Sequence, residues 1–199
     1  MKTLYHVSGV LNIKASNLPA PRIVRVTEFT DESAQAFTEA MGQAHNTGQD
    51  IIPVVIDSYG GDVYSLLSMI SAIENSHLPV VTIAIGKAMS AGAVLLSYGV
   101  ERFADQNADI MFHDMVSVHE GKTDDVVALA KHSNAMQKRL FEKMAKNCGQ
   151  PKSYFINLLR DNDHTDIHMT PAVAKKHGIV TEVRVPDWHV YIPVSMMLQ

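Results

Sequence analysis

Among the residues whose types and spacing could do chemistry, a serine stands first. The segment Gly86-Lys-Ala-Met-Ser90-Ala-Gly follows an apolar run and sets a hydroxyl among side chains too small to shield it. A nucleophile needs that exposure, and the start of a helix adds unpaired N–H groups where an oxyanion would form. Ser is equally an ordinary helix cap, so position alone leaves both roles open. The second feature is Asp57-Ser-Tyr-Gly60-Gly61-Asp62. Paired glycines allow φ > 0 and close approach of the main chain, so an amide can be aimed at a ligand atom, with Gly60 a candidate substrate contact. A tight strand-to-helix turn would use the same pair. Neither the P-loop lysine pattern nor a full G-x-G-x-x-G is present, which argues against a phosphate loop.

A base is the third requirement. The chain has 10 His, so position must discriminate. His113 ends an apolar strand-like run, where its ring can emerge beside the hydroxyl, and Asp166 lies in a polar stretch ahead of a capped helix, where it can orient an imidazole. His164-Thr-Asp166-Ile-His168 also groups metal-ligand types, but in a segment that reads as a loop, so no metal is expected. Cys148, the single cysteine, reads as a small buried or semi-buried residue and excludes intramolecular disulfides and multi-cysteine zinc sites.

These residues need elements to hold them. Arg22 to Phe29 alternates as a strand, and Thr30-Asp31-Glu32 opens a helix through about Ala44. Ile51 to Asp57 is a buried strand, with a helix from about Asp62 to Glu74 after the glycines. Val80 to Gly86 is the next strand, Ala88 onward the next helix, and Ala108 to His113 a third apolar strand. Repetition of this kind implies parallel crossovers and an α/β layered fold of strand-turn-helix units. From Thr123 to about Asn147 apolar residues recur at helical spacing, and a helix of that length, nearly 40 Å at about 1.5 Å per residue, should project toward another subunit. Pro151 opens a short helix to about Arg160. Thr170-Pro171 caps another, ended by Gly178, and Ile179 to Val185 closes as a strand.

Length and charge set the outer bounds. The 199 residues read as a single domain, residues 1–199, with 46% hydrophobic and 19% charged residues, the composition of a folded globule. A net charge of −4 without basic runs offers no footprint for nucleic acid. No apolar stretch is long enough to span a bilayer and the first residues do not read as a secretory signal, so a soluble cytoplasmic protein is expected.

Taken together, Ile56-Asp-Ser-Tyr-Gly-Gly, Ile85-Gly-Lys-Ala-Met-Ser-Ala-Gly-Ala, Met111-Phe-His-Asp and Asp166 followed by Met-Thr and His-Gly-Ile-Val resemble the ClpP-type serine peptidases, over roughly residues 22 to 183. The resemblance implies the ClpP/crotonase-like fold, with residues 123–147 as a projecting handle helix. It implies Ser90 as nucleophile, His113 as general base and acid, Asp166 as orienting carboxylate, and the N–H groups of Gly61 and Ala91 as the oxyanion hole. It further implies hydrolysis of peptides or unfolded polypeptides without a cofactor, in heptameric rings stacked as a tetradecamer, with ATP entering only through an AAA+ unfoldase partner. Departures are visible. Tyr59 stands where the family usually has Pro, Ala91 where it has Met, and His113-Asp114-Met115 where it has His-Gln-Pro. Val116-Ser-Val-His-Glu-Gly121 replaces a glycine-rich strand, and the tail from about residue 186 to 199 has no counterpart. Rival readings are a signal peptide peptidase A-like Ser–Lys enzyme using Lys87, a crotonase-like acyl-CoA enzyme, and a catalytically silent assembly subunit.

Overall fold

The computed structural model describes residues 20–187. The readings of the amino-terminal segment and of the strand-like tail from Trp188 therefore lie outside the described residues. In chain order the elements are β1 (Val24–Val26), α1 (Asp31–Ala44), β2 (Ile52–Ser58), α2 (Val63–Glu74), β3 (Val80–Met89), α3 (Ala91–Leu96), β4 (Glu101–Ala104), β5 (Asp109–Phe112), α4 (Thr123–Asn147), α5 (Tyr154–Asp161), β6 (Ile167–Met169), α6 (Pro171–Lys176) and β7 (Glu182–Val183).

Helix starts follow their caps. The Thr30 hydroxyl accepts from Ser33 N–H while the Ser33 hydroxyl accepts from Thr30 N–H, a reciprocal box that fixes where α1 begins. Asp62 accepts from the N–H groups of Tyr64 and Ser65 and so starts α2 directly after the glycine pair. Thr170 with Pro171 does the same for α6.

The sheet runs β1-β2-β3-β4-β7, all neighbours parallel, with β5 joined to β3 and carrying β6 antiparallel. Period two divides β2: Ile52, Val54 and Ile56 join Phe37, Met41, Leu66 and Met69 in the large core, while Val55 packs with Val81, Ile83 and Phe103 on the other face. Both faces are apolar, as parallel crossovers demand. Truncating a fully enclosed side chain such as Met69 to Ala should cost about 2–5 kcal/mol.

The strand β3 differs from its expected bounds, and the difference positions the site. The sequence suggested a strand ending at Gly86 and a helix from Ala88; instead β3 continues to Met89. Gly86 is a bend within it, at φ 76, with the Asp57 carboxylate 3.0 Å from where a Cβ would sit. A glycine in a strand serves as a bend as readily as a stop. Below the bend β3 pairs with β4 at Val81 to Ala84; above it, Lys87 to Met89 pair with β5. A register shift in β2 between Ile56 and Ser58 matches it on the other side. This change of partner brings the ends of β3 and β5 together.

Two strands escaped the sequence reading. Glu101 and Arg102 hide β4, although the Arg102 guanidinium is spent on the main-chain oxygens of Gly99, Gly178 and Ile179. Burial lowers the pKa of that guanidinium, partly offset by Cys148. β6 carries no strand signal of its own, because only its distant pairing with β5 makes it a strand. Smaller boundary differences are that α5 begins at Tyr154 and β7 holds two residues.

The helix α4 has the expected bounds and 25 residues, about 37 Å at 1.5 Å each. Its buried residues are Met136, Leu140, Phe141, Met144 and Ala145, all in the second half. Val127 and Leu129 in the first half are exposed, as are Val116 and Val118 in the strandless segment leading to it.

Candidate active site

Ser90 occupies the junction between β3 and α3 with φ 53 and ψ −117. For a residue with a Cβ that conformation costs on the order of 1–3 kcal/mol and persists only where surroundings impose it. Here they do. The Ser90 N–H donates to Met111 O at 2.8 Å, and its C=O accepts from Ala93 and Val94. The side chain makes no capping bond, so the helix-cap role is not the one it plays. Ser90 Oγ and His113 Nε2 lie 2.9 Å apart.

The glycine turn is packed against this junction. A Cβ on Gly60, at φ 103, would lie 2.8 Å from Ser90 Cβ and 2.9 Å from Met89 O. Its N–H donates to Ser58 Oγ at 3.1 Å. Gly60 therefore packs closely against the serine. Gly61, at φ 150, would place a Cβ 2.6 Å from Phe29 O. Gly61 and Ala91 both line the cavity holding Ser90 and His113, and among the described residues neither amide donates to a protein acceptor. Two unengaged N–H groups flanking a hydroxyl are what an oxyanion needs.

His113 follows the last residue of β5. Antiparallel pairing of Phe112 with Ile167 sets Asp166 opposite His113 if the register runs one residue further. Directly opposed residues project from the same face of an antiparallel pair. The Asp166 carboxylate is exposed and makes no hydrogen bond to the ring among the described residues. Its near neighbours His164 and His168 go to different carboxylates, Asp114 at 2.7 Å and Asp109 at 3.0 Å. Among the described residues no group of three or more metal-ligand side chains assembles.

Lys87 points away from a role as base. Its Nζ lies 2.7 Å from Asp57 Oδ1 and 4.5 Å from the centroid of the Tyr59 ring. The hydrogen bond to Asp57 raises its pKa, against an opposing desolvation, so the ammonium is held charged. A Ser–Lys dyad requires the reverse. Burial pushes the Cys148 thiol up to about 12, which leaves it inert as a nucleophile.

The cavity beside Ser90 has a volume of about 240 Å³ and is walled by apolar side chains, among them Val63, Leu66, Val94, Met115 and Leu140. Its polar wall residue on α4 is Gln137, which the sequence reading passed over. The available signal was spacing: Gln137, Leu140 and Phe141 fall at i, i+3 and i+4, one face of the helix.

An alcohol hydrogen-bonded to an imidazole at a strained strand-to-helix junction, over a parallel sheet, suits attack on an acyl carbon, the chemistry of the serine hydrolases. Within that class the family is specific. The Clp protease family model matches residues 10–187, and the chain belongs to that family. Its mostly parallel layered α/β fold is consistent with that membership, which makes it a ClpP-type peptidase by lineage. Among the described residues no helix is long and apolar enough to cross a membrane.

Proposed function

We propose that this chain is a serine endopeptidase that cleaves peptides or unfolded polypeptides through Ser90, His113 and Asp166. The observation that carries the reading is the 2.9 Å contact between Ser90 Oγ and His113 Nε2 beside the amides of Gly61 and Ala91, which meet no acceptor among the described residues. His113 Nε2 takes the hydroxyl proton as Oγ attacks the peptide carbonyl carbon, and the two amides receive the developing oxyanion. Collapse of the tetrahedral adduct breaks the C–N bond, with His113 returning the proton to the leaving amine. Water, deprotonated by the same ring, then hydrolyses the acyl-enzyme. Asp166, one residue beyond the Phe112–Ile167 pair, accepts from Nδ1–H only when its exposed carboxylate turns toward the ring, and that contact makes Nε2 the accepting nitrogen.

The apolar cavity suits a bulky apolar side chain beside the scissile bond, and an extended substrate can pair with main chain next to Ser90. The uncovered half of α4 and the exposed Val116 and Val118 support self-association, with stacked heptameric rings as the form that family membership favours. An AAA+ unfoldase as partner, a cytoplasmic location and catalysis without a bound cofactor belong to the same proposal.

Peptide hydrolysis by the wild type and by Ser90→Ala, with and without an added unfoldase, tests the activity. A fluorophosphonate should label Ser90 alone; labelling at no serine would instead favour a crotonase-like acyl-CoA enzyme. Light scattering that finds monomer across a wide concentration range would defeat the assembly.

A further inference from the structure

His113 is the first residue beyond β5, and no strand follows it before α4 begins. What then holds the chain next to the ring is a short set of side-chain bonds. Gln137 Oε1 accepts from the Met115 N–H at 2.5 Å, Gln137 Nε2 donates to Asp114 Oδ1 at 2.6 Å, and His164 Nδ1 meets Asp114 Oδ2 at 2.7 Å. A main-chain N–H needs an acceptor and a carboxylate needs a donor. Among side chains of this reach an amide supplies both at once, whereas Glu would repel Asp114 and Lys would leave Met115 N–H unmet. The residues bracketed by Gln137 are the two that directly follow the ring bonded to Ser90. Gln137 and Met115 also stand in the cavity wall, so the bracket is part of the cavity surface as well as its frame.

We propose that Gln137 is a positioning residue: its amide clamps Asp114 and Met115 to α4 and thereby fixes the ring of His113 against Ser90. This rests on the serine-peptidase reading above. Ring placement is sensitive to small displacements, since a shift of about 1 Å at reacting groups costs on the order of 100-fold in rate. Both side chains also wall the cavity, but the clamp acts through alignment of the ring, so its loss should fall more heavily on kcat than on KM.

The test compares wild type with Gln137→Met, which keeps the length and removes both hydrogen bonds, and with Asp114→Ala and Asp114→Asn. Each is followed by the rate of Ser90 labelling with a fluorophosphonate and by peptide hydrolysis. Gln137→Met and Asp114→Ala should lower labelling and kcat by about 10- to 100-fold, with KM changed less than about threefold. Asp114→Asn, whose Oδ1 still accepts from the Gln137 amide, should recover most of what Asp114→Ala loses. The double variant Gln137→Met/Asp114→Ala should be no slower than the worse single variant, because both remove one clamp. Wild-type labelling rates in Gln137→Met, multiplicative losses in the double variant, or an effect confined to KM would each overturn the proposal. Should Gln137→Met not fold, the Asp114 pair decides by the same criteria. Absence of Ser90 labelling in the wild type is a different failure, that of the peptidase reading itself.

Discussion

On one side of the site Ser90 is held by main chain: its amide is bonded to Met111, its carbonyl caps the first turn of α3, and Gly60 is packed into contact with its Cβ. On the other side His113 stands beyond the end of a four-residue strand, steadied by the Gln137 and Asp114 side chains, with Asp166 exposed across the register. Main-chain bonds inside a sheet survive changes at the surface. Side-chain brackets on a strandless segment depend on what packs beside them. Ser90 and its turn are thus fixed by the single chain, whereas the segment after His113 is bracketed by Gln137 and is open to adjustment by what packs on α4.

The largest expected effect sits on the fixed side. Ser90→Ala should lower peptide hydrolysis by about 10⁶-fold with the fold retained by circular dichroism, and substantial residual turnover would assign the nucleophile elsewhere. Asp166→Ala should lower kcat by about 10⁴-fold if this carboxylate orients the ring. A loss under about tenfold would mean that the adjustable side works without it and would sharpen the contrast.

Stability should divide in the same way along α4. Met144→Ala, in its buried half, should cost about 2–5 kcal/mol in denaturant unfolding. Replacing exposed Val127 and Leu129 with Ser should change monomer stability by no more than about 0.5 kcal/mol at each site. The pair should nonetheless reduce the assembled fraction seen by light scattering; unchanged assembly would leave the exposed half of α4 without its proposed role. The smallest contrast compares two glycines. Both have positive φ, so Ala strains each, but only at Gly60 does a Cβ meet Ser90 and Met89, while at Gly121 it meets open space. Gly60→Ala should exceed Gly121→Ala by about 1–3 kcal/mol in unfolding free energy and should slow Ser90 labelling. Equal costs would show that the turn at Ser90 is looser than its packing implies.

Much of this was legible in local pattern. The bounds of α1 and α4, the cap at Thr170-Pro171, and the order strand, glycine turn, helix all follow from caps and periodicity that neighbouring residues express by themselves. Ser90, Gly61, Ala91 and His113 were found from motifs and do meet around one cavity. What was misread depended on distant partners. Gly86 looked like a strand end because its role as a bend is set by Asp57 and by the change of partner from β4 to β5. β6 looked like a loop because three residues become a strand only against β5.

By itself the sequence determined which residues carry an alcohol, an imidazole, a carboxylate and flexible turns, and in what order the elements come, because caps, periodicity and glycine conformations act over a few residues. Tertiary structure alone decided that β3 would turn to β5, that Ser90 would leave its cap role for His113, and that Gln137 would reach Asp114 and Met115. Those outcomes are contacts between segments far apart in the chain, and a contact becomes favourable only once the sheet has brought its partners within reach.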